Sequence, residues 1–306
     1  MITAIIISLL IAWVLDYAQF RIVGFNYSCP FNGLGAIESV CAGTALAPMQ
    51  YRVAVPWMFR GLRKLSPFAD IPTYEVLKIL MMAFGLFGVW LLASHVFAPL
   101  IGWLSLFMTA IFYVGNFQFD YIEQYLELGL WALFIYALYS TNPILAIIVV
   151  IIAVLNRETS ILLPVMAGLA GIWGMAILSS ILIFMVMLLL RMYYGFKPSY
   201  LDEGVKLGGE TFRGKNHFPK NLREIKKGLT WFMYPTWYTL LVIVSGIVSV
   251  VLTIFPYPLS NVPFVVFLLF ILLVFRAMFH EGVRILLPTL SLITPALAVE
   301  LVKIAI

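Results

Sequence analysis

With 306 residues, 63% hydrophobic and only 11% charged side chains, this chain is not an ordinary soluble globular domain, in which about 25% of residues are charged. Long unbroken apolar runs recur along its whole length, which indicates a polytopic helical membrane protein and not an outer-membrane barrel. The net charge of +5 favours anionic head groups or phosphates as partners over nucleic acid. The sequence therefore predicts an all-α protein with one membrane domain over residues 1–306.

Apolar runs close to the length that crosses a bilayer, about 20 residues, predict about ten transmembrane segments. The first is predicted to be a retained helix, because no basic region precedes it and no small-residue cleavage site follows it. The fifth and sixth are too short for a hydrocarbon core of about 30 Å, so they stop short of one surface or form a re-entrant pair. The predicted segments are residues 2–15, 79–97, 100–114, 121–139, 143–155, 161–173, 174–190, 236–255, 262–279 and 285–306.

Two connecting segments are long, 16–78 and 191–235, and the predicted segmentation puts both on the same face as nearly all charged residues. In the first, Pro56 is expected to open an amphipathic interfacial helix whose basic residues face lipid head groups. In the second, Asn221 and Glu224 have the spacing of a helix-start box. Cys29 and Cys41 both lie in the first loop, where they could pair in an oxidising compartment.

Candidate catalytic groups have to be found among the ionisable residues at helix ends, because no P-loop, Rossmann glycine pattern or HExxH motif occurs. Asp16 at the end of the first segment is either an interface charge or a carboxylate that acts as a base or holds a metal. Asp120 either caps the following helix or serves the site. Glu123 and Glu127 are expected to form a solvated first turn of that helix.

The charged turn at residues 156–160 lies between two apolar runs that contain no Asp, Glu, Lys or Arg. Arg157 and Glu158 are therefore either a polar hairpin at the membrane surface or the lining of a recessed site. The short flanking segments favour the recessed position. Arginines converging on this face from separate loops would suit a phosphate or diphosphate, which arginine binds with paired donors.

A set of motifs resembles the GT-C superfamily of integral-membrane glycosyltransferases, and in particular its small bacterial members. The matching features are an acidic residue after the first helix (Asp16), APMQYRVAVPW at 47–57, FQFDY at 117–121, LNRETSILLP at 155–164 and EGVRILLP at 281–288. The resemblance implies transfer of a sugar from a polyprenyl-phosphate carrier to an acceptor hydroxyl. It implies Asp16 as the catalytic carboxylate, with Asp120 and Glu158 as further catalytic candidates, and phosphate contacts from Arg52, Arg157, Arg284 and His280.

The resemblance also implies a bacterial inner membrane with the active face outside the cytoplasm, whereas positive-inside counting favours the opposite orientation. The expected partners are a lipid-linked sugar donor and membrane lipids. The residues do not identify a cofactor, and a divalent cation is one option. A transporter or lipid-binding protein with a recessed charged cavity is the alternative function, and a non-catalytic subunit of a membrane complex is another.

Overall fold

The structure is a computed structural model that describes residues 1–22, 33–45, 49–65, 69–114, 122–195, 205–207, 210–212, 226, 234–251, 255–256, 259–265, 268–269 and 287–306. The longer helices are α1 (Ile2–Ile22), α2 (Gly33–Ala42), α3 (Ala54–Leu65), α4 (Asp70–Val96), α5 (Pro99–Val114), α6 (Ile122–Tyr139), α7 (Pro143–Asn156), α8 (Leu162–Leu169), α9 (Trp173–Tyr194), α10 (Tyr234–Val251) and α11 (Leu290–Ala305). Short 3₁₀ helices cover Met49–Tyr51, Glu158–Ile161 and Leu287–Thr289.

The predicted helical class is confirmed, with one small addition in the second long loop. Strands β1 (Val205–Leu207) and β2 (Glu210–Phe212) form an antiparallel hairpin in which Lys206 lies opposite Thr211. No strand was expected there. The helix predicted from Asn221 in the same loop lies outside the described residues.

Helices α4 and α6 pack against each other at the centre, and α1, α5, α7 and α11 surround them. The two central helices approach closely because glycines face each other: a Cβ built on Gly88 would lie 3.2 Å from Gly129 Cα. Large aromatic side chains of the two helices, among them Tyr74 on α4 and Trp131 and Phe134 on α6, are fully buried. The central pair is thus the rigid scaffold on which the polar groups described below are mounted.

The predicted number of transmembrane segments is not confirmed. Among the described residues, four helices are long and apolar enough to cross a membrane: Ile2–Arg21, Asp70–Val96, Trp173–Tyr194 and Leu287–Ala305. Shorter apolar helices cover Pro99–Val114, Pro143–Asn156, Glu158–Leu169 and Leu240–Ser249. The predicted segments in these regions are helical, but their lengths do not meet the same criterion.

Two predicted boundaries of the first loop are wrong, and one physical cause explains both. Helix α1 continues to Ile22, and α4 begins at Asp70, well before residue 79. Asp16 therefore lies inside a helix, and so does Lys78. These two charged side chains form an ion pair across the α1–α4 contact, so neither charge has to end its helix at a water interface.

Helix α3 is amphipathic as predicted, with Ala54, Val55, Pro56 and Phe59 buried. Pro56 occupies its first turn, where a missing N–H costs nothing. Trp57 and Leu65 of the same helix are 47% and 86% exposed. Exposed apolar side chains on a basic helix are suited to lie among lipid head groups.

The break between the sixth and seventh predicted segments is confirmed. Helix α8 ends at Leu169 and α9 begins at Trp173, with Gly171 between them at a φ of 77°. Glycine adopts this left-handed conformation without a steric penalty. The start of α7 is also determined locally: the Asn142 side chain accepts a 3.0 Å hydrogen bond from Leu145 N and so caps this helix.

Candidate functional site

The turn after α7 forms because its polar side chains hydrogen-bond to α6. Asn156 Nδ2 donates a 2.7 Å hydrogen bond to the backbone carbonyl of Glu123. Arg157 then takes extended backbone angles and ends the helix, and a short 3₁₀ helix from Glu158 to Ile161 leads into α8. The turn lies against the first turns of α6, so its side chains are held in fixed positions.

The inner ion pair of the turn joins Arg157 to Glu127 on α6. Arg157 Nη1 lies 2.5 Å from Glu127 Oε2, and the two side chains are only 5% and 3% accessible. Thr159 Oγ1 donates a further hydrogen bond to Glu127 Oε1. Glu127 was expected in a solvated first turn, and that expectation is wrong, because the partners of its carboxylate are supplied from a turn about 30 residues later.

The outer ion pair joins the turn to the first loop. Arg52 Nε and Nη2 donate hydrogen bonds of 3.1 and 2.9 Å to the two carboxylate oxygens of Glu158. This pair is less buried than the inner one, with side-chain accessibilities of 12% for Arg52 and 35% for Glu158. It is a two-point contact of the kind that guanidinium groups form with carboxylates and phosphates.

Electrostatics at the outer pair favour an ionised Glu158. Burial by itself raises the pKa of the Glu158 carboxyl, but the charge and hydrogen bonds of Arg52, with a smaller effect from Arg157, more than offset it. The pKa of Glu158 is therefore held below its ordinary value. At neutral pH the Arg52 fork holds a negatively charged group of the protein itself.

Residues next to Arg52 fix its position relative to the rest of the fold. Tyr51 donates a 3.0 Å hydrogen bond from its hydroxyl to the Gly195 carbonyl, just after α9. The Arg191 guanidinium lies 5.9 Å from the centre of the Tyr51 ring, within the range of a cation–π contact. Gln50 Nε2 donates to the Val40 carbonyl at 3.2 Å. The segment before α3 is thus tied to both α2 and the end of α9.

Some buried polar atoms of the turn have no hydrogen-bond partner among the described residues. They are Arg157 Nε, Asn156 Oδ1 and Ser160 Oγ, whose residues are 5%, 1% and 2% exposed. Such groups are costly to bury without a partner, and in folded proteins most buried polar groups are hydrogen-bonded to the protein or to water. The turn therefore combines filled ion pairs with unused donors and acceptors.

A second buried charge cluster lies between α1 and α4. Lys78 Nζ is 2.6 Å from Asp16 Oδ1 and 3.7 Å from Glu75 Oε2, and the Lys78 side chain is fully buried. Asp16 itself is 8% exposed. Its carboxylate is thus fixed in position and partly neutralised by the ammonium group.

Of the seven predicted site residues, the structure brings Arg52, Arg157 and Glu158 together around one turn. It places Asp16 in the separate cluster with Lys78. Asp120, His280 and Arg284 lie outside the described residues, and so does Cys29; Cys41 is a free, half-buried thiol. Among the described residues, no group of three or more His, Cys, Asp or Glu side chains could hold a metal ion.

The sequence interpretation missed Lys78 and placed Glu127 wrongly. Lys78 immediately precedes a long apolar run and was assigned to the end of a loop, although a lysine at such a boundary can equally lie inside the helix with a buried partner. Glu127 follows Glu123 at helical spacing on α6. The one relevant signal in the sequence was the charged turn at residues 156–160 between two apolar runs, and it did not identify Glu127 as a partner.

Comparison with family models, curated proteins and solved structures gives no match. The site must therefore be interpreted from its own geometry. That geometry comprises two arginine–carboxylate pairs of different depth around one turn, and a separate aspartate–lysine pair between the first helix and α4.

Proposed function

We propose that this protein is a membrane-embedded glycosyltransferase-like protein that transfers a sugar from a polyprenyl-phosphate carrier to an acceptor hydroxyl. One observation carries the proposal: Arg52 and Arg157 come from distant segments and flank the same partly buried turn. Guanidinium groups bind a phosphate or diphosphate through paired N–H donors. The apolar helices around the turn are suited to a long prenyl chain.

In this proposal Asp16 supplies the base that accepts the proton of the acceptor hydroxyl, and the arginines stabilise the departing lipid phosphate. Lys78 keeps the Asp16 carboxylate in place. Asp120, Glu158, His280 and Arg284 remain further candidates for the same site. The proposed location is a bacterial inner membrane, with the active face on its outer side. Whether a divalent cation takes part is left to experiment.

The proposal is tested by incubating the purified protein with radiolabelled polyprenyl-phosphate sugars and an acceptor lipid extract. We expect transfer by the wild type and a loss of at least about 100-fold in Asp16→Asn, the scale of a lost general base. Asp70→Asn is the matched control, because Asp70 is also paired, with Arg63, but its side chain is 50% accessible and lies elsewhere. Undiminished transfer in Asp16→Asn would remove Asp16 from the mechanism.

A second candidate is a lipid-binding membrane protein without transferase activity. One observation favours it: Asp16 and Glu158 both already form ion pairs with basic side chains of the chain itself. Carboxylates that are engaged within the protein in this way have a structural role that requires no reaction. Binding of the lipid carrier without any sugar transfer, under conditions in which a known transferase is active, would favour this second candidate.

A further inference from the structure

The Arg52–Glu158 pair differs from the inner pair of the site because it is bidentate and partly accessible to solvent. The Glu158 side chain is 35% accessible, whereas Glu127 in the inner pair is 3% accessible. A partly exposed carboxylate exchanges for another anion at a lower cost than a buried one, whose departure would leave its partner as an unpaired buried charge. The two pairs should therefore behave differently when an anionic ligand arrives.

A guanidinium fork binds a phosphate with the same two parallel N–H donors that it offers a carboxylate. At neutral pH Glu158 occupies this fork of Arg52 through both of its oxygens. A phosphate that enters the fork must therefore displace Glu158, because both groups use the Nε and Nη2 donors.

Two residues close to Glu158 in the chain carry buried hydrogen-bond donors that the described residues do not use. Arg157 Nε and Ser160 Oγ are buried within two residues of Glu158 and have no partner in the described part of the chain. Both can donate hydrogen bonds to a phosphate oxygen. The inner pair of Arg157 with Glu127 keeps the turn in place while the outer pair opens.

We propose that Glu158 is an internal competitor that occupies the Arg52 fork until a phosphate monoester or diester displaces it. The proposal rests on the proposed function for the phosphate ligand but not for the transfer reaction. It differs from a catalytic role for Glu158, because the carboxylate opposes binding in the resting state. Its distinguishing consequence is that removing the negative charge of Glu158 strengthens binding of an anionic ligand.

The first test measures binding of a short-chain prenyl phosphate to the full chain in detergent by isothermal titration calorimetry. We expect Glu158→Gln to bind about twofold to fivefold more tightly than the wild type, the range expected for losing a partly exposed competing charge. Arg52→Lys should bind at least about threefold more weakly, because lysine lacks the fork. Glu300→Gln is the matched control, since Glu300 also forms an ion pair, with Lys303, at the far end of the chain, and it should bind like the wild type.

Two further ligands identify the source of the phosphate. If inorganic phosphate shows the same gain in Glu158→Gln, the exchange serves a free phosphate; if only the prenyl phosphate shows it, the exchange serves a lipid-linked one. The matching prenol, which has no charge, should show no gain in either case. Equal or weaker prenyl phosphate binding by Glu158→Gln would overturn the proposal.

A second measurement uses the wild-type protein, so that a folding defect in a variant does not decide the outcome. Carboxyl footprinting by mass spectrometry should show more modification of Glu158 when the protein is saturated with prenyl phosphate, and unchanged, low modification of Glu127. Protection of Glu158 by the ligand would overturn the proposal. Ligand exchange without sugar transfer would leave it standing and would count against the transferase function alone.

Discussion

Arg52 and Glu158 are 106 residues apart in the chain, and their side chains form a two-point ion pair with bonds of 2.9 and 3.1 Å. This contact joins the first long loop to the turn between α7 and α8. The charge of one carboxylate therefore helps to hold that loop, together with the contacts of Gln50 and Tyr51.

That contribution predicts how stability changes with pH. The pKa of Glu158 is lowered in the folded state, so its contribution to stability is fully present above the unfolded-state pKa of about 4.3 and is lost as the pH falls through the lower folded-state value. We expect Glu158 to contribute at most about 1 kcal/mol to the free energy of unfolding, because its side chain is partly exposed. The thermal midpoint of unfolding, measured in detergent at several pH values, checks this prediction. The difference in midpoint between wild type and Glu158→Gln should shrink below about pH 4.3. A difference that grows there would contradict a lowered pKa of Glu158.

The inner pair should contribute more to stability than the outer one. Glu127→Leu leaves the buried Arg157 guanidinium without its counter-charge, and breaking such a pair costs about 3–5 kcal/mol. The free energy of unfolding, measured by denaturant titration followed by tryptophan fluorescence, should fall by that amount. The double variant Glu127→Leu/Arg157→Met should recover much of the loss, because no unpaired charge remains. A double variant as unstable as the single one would argue against the pair.

Lys78 should be essential for the packing of α1 on α4. Its side chain is fully buried and lies between the Asp16 and Glu75 carboxylates, so Lys78→Met should lower the free energy of unfolding by about 3–5 kcal/mol. The double-mutant cycle of Lys78→Met, Asp16→Leu and their combination should give a coupling energy of about 0.5–3 kcal/mol, the usual value for contacting residues. The same denaturant titration measures both, and simple additivity of the two changes would show that the pair is not formed.

The approach of α4 to α6 depends on the absence of a side chain at Gly88. A Cβ there would lie 3.2 Å from both Gly129 Cα and the Gly129 carbonyl oxygen, which are backbone atoms that cannot move aside cheaply. Gly88→Leu should therefore destabilise the protein by about 1–3 kcal/mol through overpacking. Gly174→Leu in α9 is the control, since its Cβ would meet nothing within 4 Å. Equal thermal midpoints for the two variants would contradict the close helix contact.

A single cysteine on α3 can show on which side of the membrane this helix lies. Lys64 is exposed at the end of this helix. The variant is Lys64→Cys in a protein whose Cys29 and Cys41 are replaced by serine. We expect this cysteine to react with a membrane-impermeant maleimide in intact spheroplasts. That result would place α3 outside the cytoplasm, as the family resemblance implies. Labelling only after permeabilisation would place it inside, in agreement with positive-inside counting.

Composition and hydrophobic runs were enough to predict a helical protein with membrane-spanning character, because long apolar segments have few other stable arrangements. They also predicted the amphipathic α3 and the break near Gly171, since both depend on local chemistry. The number of spanning segments was not predictable in the same way. Helix length depends on whether charged residues at the ends find partners, as Asp16 and Lys78 do.

By itself, the sequence singled out Arg157 and Glu158 as either a surface hairpin or the lining of a site, and the family resemblance added Arg52 as a phosphate contact. Only the tertiary structure decided which partners they have: Arg157 with Glu127 on α6, and Arg52 with Glu158 across the first loop. The physical reason is that the cost of burying a charge can be read locally, whereas the compensating charge can come from any part of the chain that folds against it.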